Sequence, residues 1–131
     1  MGQGQAAPRL EAMFGWLGKL LGLGARVPRI SPKEAQEKLR AGAIMIDVRT
    51  PLERKLLKIP GSQGLPLAEL PKRWESLPKD RPIICQCESG QRSLRAAEFL
   101  AEKGFEVYNL AGGISAWEAA GLPVKKGSIQ R

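Results

Sequence analysis

The sequence predicts an α/β domain, a parallel sheet flanked by helices on both faces. Three observations predict it. "AIMIDV" (43–48) and "PIIC" (82–85) are apolar runs of strand length, as expected of parallel strands buried on both faces. The stretches between them carry helix start and stop signals. The two kinds alternate in the order α-β-α-β-α-β-α-β-α, or close to it, which favours a parallel sheet covered by helices. A length of 131 residues suits one domain with one core.

The elements follow in order. Residues 1–28 form an N-terminal extension, of which the first twelve look unstructured. Within it, "MFGWLGKLLGLGA" (13–25) clusters apolar residues around Lys19 but falls short of the ~20 needed to span a bilayer. It reads as a short helix on the domain or a loose tail; the alternative is an amphipathic anchor with weak membrane association. Met13 offers a second candidate start. The folded domain covers residues 29–126, and 127–131 form a C-terminal tail. Ser31, Pro32 and Glu34 make a helix start with a capping box, and Gly42 stops that helix. "AIMIDV" is the first strand. "PLERKLL" (51–57) predicts a short helix, and "KIPGSQGLPL" (58–67) a loop with a brief strand. "AELPKRWESL" (68–77) predicts a helix with Pro71 in its first turn. "PIICQC" (82–87) is the next strand. "QRSLRAAEFLAEK" (91–103) is the clearest helix, with Leu94, Ala97, Leu100 and Ala101 on its apolar face and Phe99 at the edge. "FEVYNL" (105–110) is a strand, and "AGGISAWEAAGLPV" (111–124) a Gly-Gly turn followed by a short helix.

Composition limits the chemistry. The chain has no histidine, which removes imidazole as a base, proton shuttle or metal ligand. With two cysteines, no closed zinc site is expected, and no metal or cofactor is implied. The net charge of +8 favours anionic partners. The basic residues are dispersed, as in "RKLLK" (54–58) and "VKKG" (124–127), without interleaved aromatics, so no nucleic-acid partner is expected. Cys85 and Cys87 lie too close in sequence for a disulfide framework and read as reduced thiols of a cytoplasmic protein, peripheral to the membrane if the anchor reading of residues 13–25 holds.

Cys87 is the candidate nucleophile. It stands where a strand hands over to a helix, and ligands of open parallel sheets bind at the carboxyl ends of strands. The loop "ESGQR" (88–92) can turn its amides toward an anion, with the helix dipole adding positive potential. Arg92 and Arg95 add cationic charge, and Glu88 is expected to point to solvent. These influences favour thiolate over thiol. Cys85 reads as core.

Four motifs carry a resemblance. "IDVRTPLE" (46–53), "IPGS" (59–62), "CESGQRS" (87–93) and "YNLAGGISAWEAAGLPV" (108–124) stand in the order seen in the rhodanese-homology domain. The chain resembles a single-domain rhodanese-like sulfurtransferase over about residues 30–125. The resemblance implies a rhodanese-like fold with a parallel sheet of about five strands. It implies Cys87 as catalytic residue and a substrate-binding loop of Glu88, Ser89, Gly90, Gln91 and Arg92, with Ser93 opening the next helix. Asp47 and Arg49 match a family pattern and are expected as an ion pair supporting the site. Gln86 stands where the family often has an aromatic, and Leu57 and Lys58 where it commonly has glycine and histidine.

The implied reaction moves a sulfane sulfur from thiosulfate or another small anionic donor to a thiol or cyanide acceptor through a Cys87 persulfide. A sulfur-relay protein is a further candidate partner. The alternative is a sulfur-carrier or regulatory binding module with little turnover of its own. A cysteine-phosphatase reading fails on spacing: its loop needs arginine at position 93, which is Ser93, and the arginine stands one residue early at Arg92.

Overall fold

Two helices open with the same four-residue device. In the first, the Ser31 hydroxyl accepts the Glu34 N–H at 3.1 Å while the Glu34 carboxylate accepts the Ser31 N–H at 2.8 Å. This capping box opens α1 (Pro32–Arg40) with proline in its first turn. Thr50 and Glu53 repeat it at 3.3 and 2.9 Å to open α2 (Pro51–Leu56). The sequence reading recognised the first box and passed over the second.

The structure, a computed structural model, describes residues 27–127. The expectations for residues 13–25, and for the tail beyond 127, lie outside the described residues. Among the described residues no helix is long and apolar enough to cross a membrane.

Five strands form one parallel sheet: β1 (Arg29–Ile30), β2 (Ile44–Asp47), β4 (Gln63–Gly64), β5 (Ile83–Gln86) and β6 (Val107–Leu110). Their spatial order is β1-β6-β5-β2-β4. A separate antiparallel ribbon pairs β3 (Leu57–Lys58) with β7 (Lys125–Lys126). The remaining helices are α3 (Leu70–Arg73), α4 (Gln91–Glu102) and α5 (Gly113–Ala119). The sequence reading missed β1 and the ribbon because two-residue strands carry no periodicity. It also expected one helix over 68–77. The structure breaks that stretch into two 3₁₀ turns (Leu67–Glu69 and Trp74–Ser76) around α3, whose second residue, Pro71, contributes no N–H.

Both faces of the sheet are buried. One face packs Ile46, Ile83, Cys85 and Cys87 against Leu70 of α3 and Ala96, Ala97 and Leu100 of α4. The other packs Met45, Ile84 and Leu110 against Ala35 of α1 and Ile114 and Trp117 of α5. The strands therefore alternate between two cores, and neither face is polar. The buried side of α4 is Ser93, Ala96, Ala97 and Leu100. This corrects the expected face: Leu94 is exposed and Ala101 only partly buried, because the helix is rotated to bring Ser93 beneath the loop that precedes it.

The strand order positions the site. From β2 the chain moves outward to β4, then returns past β2 to β5 and on to β6. The connections leaving β2 and β5 thus diverge, opening a crevice beyond their carboxyl ends. Asp47 and Gln86 are register partners at those ends, and Cys87 lies one residue past Gln86.

The corrected helix face is testable. Leu100→Ala should destabilise the protein by about 2–5 kcal/mol, whereas Leu94→Ala should stay within about 0.5 kcal/mol, both read from urea unfolding.

Candidate active site

The geometry around Cys87 begins with its own peptide. Its carbonyl accepts the Ile114 N–H at 2.8 Å, and the Glu88 carbonyl accepts the Ser115 N–H at 3.2 Å. Both donors belong to the first turn of α5. Gln86 adds a third bond, donating Nε2 to the Cys87 carbonyl at 3.1 Å. In a trans peptide the N–H points opposite to the C=O. Tying these two carbonyls to α5 therefore turns the following amides, of Glu88 and Ser89, to the loop side. The approach needs glycine at 113: a Cβ there would overlap the carbonyl oxygens of Cys87 and Glu88, and its φ is +61°.

The sulfur receives what this arrangement offers. Gly90 N–H donates to Cys87 Sγ at 3.1 Å and Ser93 N–H at 3.3 Å, with Ser93 Oγ also at 3.3 Å. Gly90 adopts φ +108° to bring its amide inward as α4 starts. Asn109 of β6 braces both ends of the turn, donating Nδ2 to the Gly90 carbonyl at 3.0 Å and accepting the Ser93 hydroxyl on Oδ1 at 2.6 Å. Burial pushes the Cys87 thiol up. The Ser93 hydroxyl and the Ser93, Gly90 and Ser89 amides pull it down by more, and the net shift is downward. Cys85, fully enclosed in the core, is driven upward by burial and by the neighbouring Cys87.

The loop residues divide by direction. Glu88, Ser89 and Gln91 are exposed, Gly90 and Arg92 half-buried, and Ser93 buried. Arg92 does not stand free beside the sulfur. Its Nη1 and Nη2 donate to the two carboxylate oxygens of Glu53, each at 2.8 Å. The Arg92 guanidinium holds the Glu53 carboxyl at about 2, against burial and with help from Thr50. The cation counted from sequence as a thiolate partner is thus largely neutralised by α2. Arg95 is exposed and makes no hydrogen bond or ion pair at the site among the described residues.

Asp47 and Arg49 lie beneath the loop rather than in it. Arg49 Nε and Nη2 grip Asp47 at 3.0 and 2.8 Å, both residues being buried, and Arg49 Nη2 also donates to the Leu57 carbonyl at 2.6 Å. Arg54 adds Nη1 to the same carboxylate at 3.2 Å. The cluster ties the end of β2 to β3 and α2. Gln86 is fully buried, and its Oε1 has no partner among the described residues.

Sequence reasoning missed three residues of the site. Glu53 was legible as the fourth residue of the Thr50-Pro51-Leu52-Glu53 box, although its grip on Arg92 was not. Asn109 was the one polar residue inside an otherwise apolar strand end. Gly113 stood in plain view as half of a Gly-Gly pair and was read only as a turn.

A parallel α/β domain whose central strand leads into a cysteine met by main-chain amides defines a class whose site is centred on a thiol held toward its ionised form. Residues 31–120 match the rhodanese-like domain, and the chain belongs to that family. It is 42% identical over 82 residues to a sulfurtransferase of Allochromatium vinosum, covering 62% of this chain and 77% of the relative. It is 41% identical over 92 residues to the thiosulfate sulfurtransferase GlpE of Ectopseudomonas mendocina, covering 70% and 84%. Among solved structures it is similar to a rhodanese-related protein of Thermoplasma volcanium, with TM-score 0.71 and 33% identity over 75% of this chain and 97% of that one.

Two substitutions test the scaffold. Gly113→Ala should destabilise the protein by about 2 kcal/mol or more and slow alkylation of Cys87, because α5 must retreat from the two carbonyls. Glu53→Gln should cost about 1 kcal/mol at pH 7, the pair being partly exposed. The Glu53 carboxyl is depressed from 4.5 to about 2 in the folded protein, so its stabilisation is complete above 4.5 and lost as pH falls through 2. The gap between wild type and variant in urea unfolding should close over that acid range.

Proposed function

We propose that this protein is a sulfurtransferase that carries a sulfane sulfur on Cys87 as a persulfide, with thiosulfate as donor. The observation that carries the reading is the pair of main-chain amides, of Gly90 and Ser93, that donate to Cys87 Sγ, with the loop arginine diverted to Glu53. Such a pair suits a single compact anion. A tetrahedral phosphate oxyanion would call for an arginine free to bind it bidentately. The relatives named sulfurtransferase and thiosulfate sulfurtransferase support the same reading.

The Cys87 thiolate attacks the outer sulfur of thiosulfate. The S–S bond of the donor breaks, and sulfite leaves with the electron pair. The new persulfide places its terminal sulfur ~2.05 Å beyond Sγ. The amides of Ser89, Gly90 and Ser93 then face the sulfur pair, and fixed dipoles in a water-poor site need no reorganisation to stabilise it. A thiol or cyanide acceptor attacks the terminal sulfur, and Cys87 departs as the thiolate these amides already favour. No general base is required once the thiol is ionised.

The test is intact mass after exposure to thiosulfate. The wild type and Cys85→Ala should gain one sulfur, about 32 Da, removable by cyanide, and Cys87→Ser should gain none. Alkylation by iodoacetamide should report the poise of the thiol. Because the Cys87 value is lowered, its reactivity should persist below the ~8.5 midpoint of a free thiol and be lost only as pH falls through the lower folded value. An unchanged mass after thiosulfate, or a Cys87 midpoint above 8.5, defeats the reading.

A further inference from the structure

Three large hydrophobic side chains stand exposed among the described residues: Leu52 at 56%, Leu56 at 41% and Leu94 at 36%. Scattered singly, they would require no explanation. Two of them are not scattered. Leu52 precedes Glu53, Leu94 follows Arg92 by two residues, and Glu53 and Arg92 are joined at 2.8 Å. Leu56 lies one turn beyond Leu52 on α2, a helix with no buried residue. Leu52 and Leu56, four residues apart, therefore share one side of α2, the helix whose Glu53 holds Arg92 of the Cys87 loop.

A cationic surface adjoins these leucines. In the ribbon, Lys58 stands directly opposite Lys125, and Lys126 opposite Leu57. Like charges facing each other across antiparallel strands are destabilising. The ribbon is fastened to α2 all the same: Gly127 N–H donates to the Leu56 carbonyl at 3.0 Å, and a Cβ at Gly127 would overlap the Lys55 carbonyl. Lys55, Lys58, Lys125 and Lys126 form no ion pair among the described residues, while Arg49, Arg54, Arg73 and Arg92 each have a carboxylate. Four lysines without a carboxylate partner among the described residues thus stand on α2 and the ribbon fastened to it, beside Leu52 and Leu56.

We propose that α2, the β3–β7 ribbon and the start of α4 form a docking surface for an acidic protein that presents the acceptor thiol. This rests on the sulfur-transfer reading and names its acceptor class. Charge complementarity supplies the steering, and the leucines supply apolar contact area. A membrane fits less well, because a bilayer lying across these leucines would cover the loop that the small donor must reach. In the docked complex the acceptor thiolate attacks the terminal sulfur of Cys87–S–SH. A new S–S bond forms on the acceptor, the Cys87–sulfur bond breaks, the terminal sulfur leaves with its proton, and the electron pair returns to Cys87 as thiolate. No outside oxidant or reductant enters.

The test uses the full chain loaded with thiosulfate and synthetic peptides, each with one cysteine between leucines, flanked by aspartates or by serines. At low salt the acidic peptide should remove sulfur about 10-fold faster than the neutral one, and 0.5 M NaCl should bring the two rates together. Lys125→Glu should slow the acidic peptide about 5-fold and leave cyanide within about 2-fold. The same change places an opposite charge across from Lys58, so it should raise the melting temperature by roughly 1–4 °C. A slower reaction in a more stable protein separates docking from unfolding. Equal rates for the two peptides, or equal slowing of peptide and cyanide, overturn the proposal. So does sedimentation with phosphatidylglycerol vesicles that Lys125→Glu abolishes while peptide rates stay unchanged, which would assign the surface to anionic lipid. A cysteine-to-serine version of the acidic peptide, followed by fluorescence anisotropy, reads docking without chemistry. It should bind the wild type about 5-fold more tightly than Lys125→Glu, and equal binding overturns the proposal even if Cys87 takes no sulfur.

Discussion

The site depends on which way two peptide groups face. The carbonyls of Cys87 and Glu88 are captured by the first amides of α5, and the Ser89 amide, in the same peptide as the Glu88 carbonyl, turns toward the sulfur. Nothing within the loop itself enforces this. It is enforced by a helix that starts after the neighbouring strand β6 and comes so close that residue 113 has no room for a side chain. Asn109, also on β6, secures the other end of the loop through Gly90 and Ser93. The chemistry after β5 is thus set largely by the end of β6, and the parallel pairing of the two strands keeps them in step.

A consequence follows for the charge of the site. The chain is strongly basic, yet the arginines nearest the crevice are already engaged. Arg49 and Arg54 share the buried Asp47, and Arg92 is held by Glu53. A lowered thiol at Cys87 therefore rests mainly on neutral dipoles working against burial. Two opposing contributions leave the sulfur ionisable without binding it irrevocably, which suits the attacking and departing roles proposed for it.

Much of this was legible in the sequence. The β-strands around Ile46 and Ile84, the helix starting at Gln91 and the thiol at the strand end follow from apolar runs, turn residues and spacing. The strand order does not. β1 is two residues long and pairs with β6 at the far edge, which no local pattern announces. The face of α4 was misjudged because alanine and serine fill the tight contact behind the loop, whereas Leu94, the more hydrophobic residue, faces outward. At the site, the sequence located the thiol at the strand end and the loop whose amides reach it. Partners that arrive from distant positions, such as Glu53 at Arg92 and Ile114 at Cys87, depend on tertiary geometry and leave no mark in local spacing.

Cys85 gives the arrangement a vulnerability. Neighbours on one face of a strand stand ~6.6 Å apart, too far for the ~3.8 Å Cβ separation of a disulfide. Enclosed as it is, Cys85 is also held in its unreactive protonated form. Among the described residues, then, Cys87 has no resolving thiol within reach. A peroxide that converts it to a sulfenic acid meets no internal rescue, and further oxidation to sulfinic acid is irreversible for this fold acting alone. On the proposed function, a sulfur atom seated on Cys87 would take the oxidant's attack in its place and act as a sacrificial shield for its carrier.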